Sequence, residues 1–159
     1  TAAVKALARL GLTFRVKDTF GKVEYNGRGD IEMYNDREEA CLIGQYKTTA
    51  EAMFHYYVKP QATGNRTDVR WISLSNTRSR LMVAAKTPFQ FSVTPFSDSV
   101  IDRATHINQL SRDGLLTVHL DANQSGVGTA TCGPGVAEKY RVPVKPTSFE
   151  FVLYPAMAK

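Results

Sequence analysis

The side chains that could do chemistry in this sequence are carboxylates, arginines and histidines. Hydrolysis by acid and base or nucleophile needs two carboxyl groups that face each other across the scissile bond. The candidate carboxylates are Glu24, Glu32, Asp36, Glu38, Glu39, Asp68 and Asp121. Their spacing pairs none of them, so the residues alone assign no acid and no nucleophile.

Arginines close to carboxylates in the sequence indicate a polar network. The planar guanidinium suits bidentate pairing with a carboxylate, and a buried member left unpaired would cost several kcal/mol. We therefore predict a structural network rather than a catalytic pair, made of Glu32, Asp36, Arg37, Asp68, Arg70 and His106. A functional alternative stays open for two neighbours, since Asn65 or Arg66 could hydrogen-bond the hydroxyl groups of a ligand.

The histidines and cysteines do not predict a metal site or a cofactor. His55, His106 and His119 occur singly, without the spacing of a ligand set. Two cysteines, Cys41 and Cys132, cannot make a disulfide framework or a structural zinc site by themselves. They form one bridge if they meet in space, and two reduced packed thiols otherwise.

Composition is typical of one globular domain. The chain has 159 residues, of which 43% are hydrophobic and 22% charged, with a net charge of +5. The basic residues are spread along the chain rather than gathered on one stripe, which argues against a nucleic-acid partner. No apolar run approaches the roughly 20 residues of a membrane-spanning helix, so no membrane partner is expected.

The elements that must position these residues are predicted to be strands. Apolar and polar residues alternate in several short stretches separated by turn residues, as in an antiparallel β-sandwich. The predicted strands include 10–17, 22–25, 67–74, 81–85, 89–93, 115–121 and 148–154. In the last of these, Phe149, Phe151 and Leu153 are expected to point inward. Short helices are predicted over 49–53, with Thr48 or Thr49 as the N-cap, and between Ser99 and His106, with Ser97 or Asp98 as the N-cap.

Two longer motifs carry a family resemblance. Gly-Arg-Gly-Asp-Ile-Glu-Met-Tyr-Asn-Asp-Arg spans residues 27–37, and Pro-Gln-Ala-Thr-Gly-Asn-Arg-Thr-Asp-Val-Arg-Trp spans residues 60–71. They resemble, in the same order, two motifs in the C-terminal domain, or small chain, of glycoside hydrolase family 2 β-galactosidases. The departures from the family pattern are Asp30 for Pro, Met33 for Asn and Ala62 for Glu.

The resemblance extends over nearly all of the chain and implies a fold. That fold is an all-β, antiparallel supersandwich related to galactose mutarotase, with at most short helices. The chain would be a single unit, residues 1–159, forming the later portion of the small-chain domain. In the family the catalytic acid and nucleophile lie in a separate barrel domain, so the resemblance implies no catalytic residue in this chain.

A glycine-rich loop over residues 126–135 is the expected substrate-side element. It cannot be a phosphate-binding loop, because no Lys-Ser/Thr comes after its glycines. It resembles a family loop whose tryptophan packs against the sugar, with Cys132 at the tryptophan position and one residue fewer. The resemblance therefore implies Gly126, Gly128 and Cys132 as substrate-side residues, although a thiol offers no aromatic face to a sugar.

Three functions are compatible with these patterns. The resemblance favours a non-catalytic domain that walls the active site of a β-galactosidase and stabilises the rest of the polypeptide. Its partners would be a β-galactoside and the other domains of the same chain; a homo-oligomer stays open. A free-standing carbohydrate-binding module is the alternative, and no motif supports mutarotase activity. For the family, bacterial cytoplasm or periplasm is the most plausible location.

Overall fold

The computed structural model describes residues 4–128 and 133–157 of the chain. Within them the strands are β1 (Ala6–Leu7), β2 (Arg9–Lys17), β3 (Lys22–Arg28), β4 (Ile43–Thr49), β5 (Arg66–Ser75), β6 (Ser79–Thr94), β7 (Leu115–Gln124), β8 (Val142–Pro143) and β9 (Val152–Met157). The α-helices are α1 (Ala50–Met53) and α2 (Asp98–Arg103). Single 3₁₀ turns cover Asp18–Phe20, Ile107–Gln109 and Glu138–Tyr140.

The predicted all-β, antiparallel class is confirmed, and it is consistent with a β-sandwich. Seven strands form one sheet in the order β2-β7-β6-β5-β3-β4, with β9 paired to the first half of β6. Strands β1 and β8 form a separate two-stranded ladder. All of these strand pairs are antiparallel. In the described part of the chain no helix is long and apolar enough to cross a membrane.

Helix α1 begins directly after Thr49 as predicted, whereas α2 begins at Asp98, one residue earlier than predicted, and ends at Arg103 rather than His106. The Thr49 hydroxyl accepts a hydrogen bond from the Ala52 backbone N–H at 3.1 Å, which caps α1. The Ser97 hydroxyl accepts from the Val100 N–H at 3.4 Å and caps α2 in the same way. Both helices are only one or two turns long, so packing on the sheet, rather than helix propensity, must hold them in place.

Two strand predictions were wrong in their details. The stretches 81–85 and 89–93 belong to one continuous strand, β6, and the register of its ladder with β5 shifts across the intervening residues. The closing strand runs over Val152–Met157 rather than 148–154. Phe149 and Leu153 are each more than 40% exposed. Alternation placed them inward because it assumes a covered face, and the described chain does not fully cover this edge.

The centre of the sheet has one apolar face and one polar face, and both are buried. Side chains alternate between the faces along each strand, so register pairs share a face. The apolar face includes the pairs Phe91–Leu120 and Val93–Val118, and the polar face includes Gln90–Asp121 and Ser92–His119. Loop residues and α2 cover the polar face, since Gln90 hydrogen-bonds the first-motif loop and His119 hydrogen-bonds α2. This buried polar face positions the motif residues identified from the sequence.

Candidate functional site

The two sequence motifs meet through the Glu32 carboxylate. Glu32 lies just beyond the end of β3, in the loop of the first motif. Its Oε2 accepts hydrogen bonds from the Thr63 hydroxyl at 2.6 Å, the Gly64 N–H at 3.0 Å and the Tyr34 hydroxyl at 3.2 Å. Its Oε1 accepts from the Tyr57 hydroxyl. One carboxylate therefore joins the first-motif loop to the start of the second motif.

The hydrogen bonds keep Glu32 ionised. Burial by itself would raise the pKa of Glu32, but donors from Thr63, Tyr57, Gly64 and Tyr34 outweigh it and lower that pKa below its ordinary value. The same contact raises the pKa of the Tyr57 phenol to about 12, chiefly because Tyr57 donates to the carboxylate. A general acid needs the opposite shift, so this geometry suits an anchoring carboxylate.

Arg66 is buried, and among the described residues it pairs with no carboxylate. Its Nε donates to the Tyr25 hydroxyl at 2.9 Å, and its two terminal nitrogens donate to the carbonyls of Gly64, Asn65 and Asp30 at 3.1, 3.2 and 2.8 Å. The guanidinium also lies 5.9 Å from the centre of the Tyr25 ring. Three carbonyl dipoles and a phenol thus hold the Arg66 guanidinium.

Side-chain amides link the same loops to the polar face of the sheet. Asn65 Nδ2 donates to the Met33 carbonyl and to Gln90 Oε1, both at 2.8 Å. Gln90 Nε2 donates to Asn35 Oδ1 at 2.8 Å. Asn35 Nδ2 in turn donates to Asn123 Oδ1 at 2.9 Å and the Gln124 carbonyl at 3.0 Å. Asn65 is buried within this chain of amides, so its direct contact with a sugar stays a prediction, as does that of Arg66.

Asp36 connects the first-motif loop to the glycine-rich loop. Its carboxylate accepts the backbone N–H groups of Val127 at 3.1 Å and Gly128 at 2.6 Å. Gly126 and Gly128, two of the expected substrate-side residues, are therefore brought against the motif loop. Cys132, the third, lies outside the described residues.

Asp68 pairs with an arginine that the sequence did not single out. Its Oδ2 lies 2.8 Å from both Nε and Nη2 of Arg28, and both side chains are partly exposed. Arg70 is exposed and donates to the Asp68 carbonyl at 3.0 Å. Nearby, burial and then the charge of Asp68 raise the pKa of Glu38, against the opposing charge of Arg28. The Asp68 contact is a partly solvated ion pair.

The remaining predicted network residues, Arg37 and His106, are both exposed. Arg37 is exposed, and its N–H donates to the Tyr34 carbonyl at 2.8 Å, which closes the turn of the first-motif loop. His106 is exposed and precedes the 3₁₀ turn Ile107–Gln109, where its N–H donates to Gln109 Oε1 at 3.3 Å. His106 thus caps a turn at a distance in sequence from both motifs.

A buried histidine and aspartate occupy another part of the polar face. His119 hydrogen-bonds the Thr13 hydroxyl through Nδ1 at 2.9 Å and Asp98 through Nε2 at 3.0 Å. The bond to His119 lowers the pKa of Asp98. Burial raises the pKa of Asp121, although Arg9 lies 3.3 Å away and opposes the shift. Across residues 4–128 and 133–157, no group of three His, Cys, Asp or Glu could hold a metal ion.

Sequence reasoning missed the donors and amides that complete the site. Tyr57 and Thr63 flank the start of the second motif, and their polarity beside a glycine-containing turn was the only available signal. Gln90 gave no signal, because a polar residue between two phenylalanines in an alternating strand is ordinarily solvent-facing. Here the loops cover it.

The chain matches a known family over almost all of its length. A family model described as the β-galactosidase small chain matches residues 1–153. A β-galactosidase of Actinobacillus pleuropneumoniae is 32% identical over 136 residues, which are 86% of this chain and 13% of that protein. A β-galactosidase of Kluyveromyces lactis is 32% identical over 149 residues, covering 91% and 14%. A third, from Staphylococcus xylosus, is 28% identical over 147 residues, covering 92% and 15%. The chain therefore spans about one-seventh of the length of these relatives.

Proposed function

The chain belongs to the β-galactosidase small-chain family, and from this we propose that it is a non-catalytic domain of a β-galactosidase. The parent reaction would be the hydrolysis of terminal β-galactosides. The observation that carries the proposal is the match itself: nearly all of this chain aligns, yet it corresponds to about one-seventh of each relative. The domain would form the later portion of the small-chain unit, wall one side of the active site and stabilise the rest of the polypeptide.

The bonding of the carboxylates supports a non-catalytic role. A glycosidase needs an acid with a raised pKa and a second carboxylate, both open to the same bond. Glu32 has a lowered pKa and four donors, and Asp36 is occupied by two backbone N–H groups. Asp121 has a raised pKa but is buried against Gly11. Glu38 has a raised pKa beside Asp68, and it is the residue to test first.

The exposed apolar strand β9 supports contact with further parts of the polypeptide. Its side chains Val152, Leu153, Tyr154 and Met157 are all more than 40% exposed, and its outer edge pairs with no strand among the described residues. An exposed apolar edge strand in a lone chain is an aggregation hazard, and natural proteins normally cover it. We propose that the remaining sheet of the parent domain packs on β9.

The proposal is tested by assaying the purified 159-residue chain and the full-length polypeptide side by side with a chromogenic β-galactoside. We expect turnover by the full-length polypeptide alone, and loss of that turnover when residues 1–159 are deleted from it. Turnover by the isolated chain that disappears in Glu38→Gln would overturn the non-catalytic role. Glu24→Gln is the matched control, since Glu24 lies on β3 in an ion pair with Lys47.

A carbohydrate-binding module is the second candidate, and one groove favours it. Ser148, Lys86 and Glu150 line this groove of about 500 Å³ together with Phe89, Phe149 and Phe151. Phe149 is 42% exposed, and an exposed aromatic ring can pack on a sugar. Galactose or lactose titrated into the isolated chain distinguishes the two functions. The domain proposal expects no saturable binding at millimolar sugar, whereas binding that is lost in Phe149→Ala would favour the module.

A further inference from the structure

We propose that Asp36 is a positioning residue that holds the start of the glycine-rich loop and thereby sets how tightly the enzyme binds its galactoside. The effect on substrate rests on the proposed function, because it requires a β-galactosidase polypeptide. The contact that carries it is within this chain.

The Asp36 carboxylate holds two successive amides of the loop. Oδ1 accepts the Val127 N–H at 3.1 Å and Oδ2 accepts the Gly128 N–H at 2.6 Å. The preceding Gly126 N–H donates to the Tyr140 carbonyl at 2.9 Å. Hydrogen bonds to an ionised acceptor are roughly twice as strong as neutral ones. Three consecutive N–H groups at the loop entrance are therefore fixed, two of them by one side chain.

The glycines at the loop entrance are explained by this contact. A Cβ on Gly126 would lie 2.5 Å from both Cγ and Oδ2 of Asp36, closer than atoms can approach. Gly128 has a φ of +60°, in the left-handed region that favours glycine. The carboxylate can reach the Val127 and Gly128 amides only because residue 126 has no side chain.

Asp36 is itself carried on a turn that cannot move freely. The preceding residue, Asn35, donates to Asn123 and to the Gln124 carbonyl at the end of β7. The next residue, Arg37, closes the turn by donating to the Tyr34 carbonyl. Earlier in the same loop, Glu32 is held by its four hydrogen-bond donors. The carboxylate of Asp36 is thus presented by a segment that is fixed to the sheet and to the second motif.

The position of the loop entrance matters for substrate under the proposed function, because Gly126 and Gly128 are among the residues expected on the substrate side. A loop that is ordered before the sugar binds loses less conformational entropy on binding than a loose one. Releasing its entrance should therefore raise KM more than it lowers kcat. We expect Asp36→Ala to raise KM for a galactoside by about tenfold and to lower kcat by less than about threefold.

The experiment compares three variants in the full-length polypeptide and in the 159-residue chain. Asp36→Ala removes both acceptors, whereas Asp36→Asn keeps one carbonyl oxygen and should give an intermediate KM. Asp68→Asn is the matched control, since Asp68 is a neighbouring carboxylate whose partner is Arg28. KM and kcat are measured in the full-length polypeptide. Hydrogen exchange of the Val127 and Gly128 amides is measured in the shorter chain, where Asp36→Ala should accelerate exchange of both by at least about tenfold.

Two results would overturn the inference. One is an Asp36→Ala enzyme whose KM stays within twofold of wild type; the other is unchanged exchange at Val127 and Gly128. Equal losses of activity in Asp36→Ala, Asp36→Asn and Asp68→Asn would show a general structural effect and would overturn it too. A full-length wild type without galactosidase activity would instead contradict the proposed function. Amide exchange would then still decide whether Asp36 holds the loop.

Discussion

The motif loops and strand β9 reverse the usual relation between polarity and burial. The loops carry Glu32 and Asn65, and Arg66 begins β5 directly after Asn65, yet Arg66 is only 2% exposed. Strand β9 reads Val-Leu-Tyr-Pro-Ala-Met, yet every one of its residues is exposed. The two regions differ in their partners. The side chains of Glu32, Asn65 and Arg66 hydrogen-bond to groups within the chain. Strand β9 pairs with β6 on one side and with no described strand on the other.

This contrast shows what each region contributes. A buried polar cluster contributes stability only when its groups are satisfied, and it then fixes one arrangement of the backbone. An apolar strand contributes only when something covers it. Under the proposed function, the loops would form part of the substrate side, and β9 would pack against the rest of the sheet.

Removing Arg66 should be the most damaging change to the loops. Arg66→Met keeps much of the side-chain volume but removes the donor to the Tyr25 hydroxyl and to the Gly64 and Asp30 carbonyls. The Asn65 carbonyl still accepts from the Met33 N–H at 2.8 Å. Buried groups left unsatisfied cost about 1–3 kcal/mol each and do not add fully, so we expect the free energy of unfolding to fall by about 3–5 kcal/mol. Urea denaturation monitored by the fluorescence of Trp71 measures this.

Arg70→Met supplies the matched control for that measurement. Arg70 is four residues further along the same strand, is exposed and donates to one carbonyl. A surface change of this kind should stay within about 0.5 kcal/mol of wild type. Equal losses in the two variants would mean that the buried cation contributes nothing beyond an exposed one, and the distinction between the two regions would fail.

The sequence predicted most strands of the large sheet, although not β4, and only some of the groups that meet at the site. Alternation and turn residues identify the sheet because they depend on neighbours in the chain, and the capping hydroxyls of Thr49 and Ser97 identify the helix starts for the same reason. Local patterns do not encode partners from distant segments, because tertiary packing sets them. Examples are Arg28 as the partner of Asp68, Tyr25 as the partner of Arg66 and the Val127 amide as the partner of Asp36.

The misplaced closing strand has the same physical origin. Period-two alternation states which residues share a face but not whether that face is covered. Along β6 this chain itself covers the inward face, and Val83 there is fully buried. Along β9 the described chain does not cover that face. Leu153 is therefore 41% exposed, although it lies opposite Val83 in the ladder.

Acid should weaken the loops through Glu32. The folded state lowers the pKa of Glu32, so between the folded and unfolded pKa values the unfolded chain binds more protons. The contribution of Glu32 to the free energy of unfolding is therefore complete above its unfolded pKa of about 4.3. It is lost as the pH falls through the lower pKa of the folded state. We expect Glu32→Gln to cost roughly 1–3 kcal/mol at pH 7 and progressively less below about pH 4.

The alkaline side gives an independent check on the same cluster. The pKa of Tyr57 is raised to about 12, so its contribution is complete below the ordinary tyrosine value of about 10 and is lost as the pH rises towards 12. Urea titrations of wild type and Glu32→Gln across both ranges isolate Glu32 from other carboxylates. A difference between the two proteins that is constant from about pH 3 to pH 7 would contradict the role assigned to its hydrogen bonds.

The smallest effect is expected at β9, and its size should depend on how much of the polypeptide is present. In the isolated chain, Leu153→Lys exchanges a half-exposed side chain for a soluble one and should change the free energy of unfolding by less than about 0.5 kcal/mol. It should also reduce self-association measured by analytical ultracentrifugation, because a lysine on an edge strand opposes pairing with other chains. Val83→Ala, at the register partner, is the control and should cost about 2 kcal/mol in either context.

In the full-length polypeptide, Leu153→Lys should become costly, by about 1.5–3 kcal/mol, the value of a leucine that has moved from water into a core. If the cost stays below about 0.5 kcal/mol there as well, β9 is a true surface strand. The exposed groove beside it would then be free for a ligand, which would favour the carbohydrate-binding module.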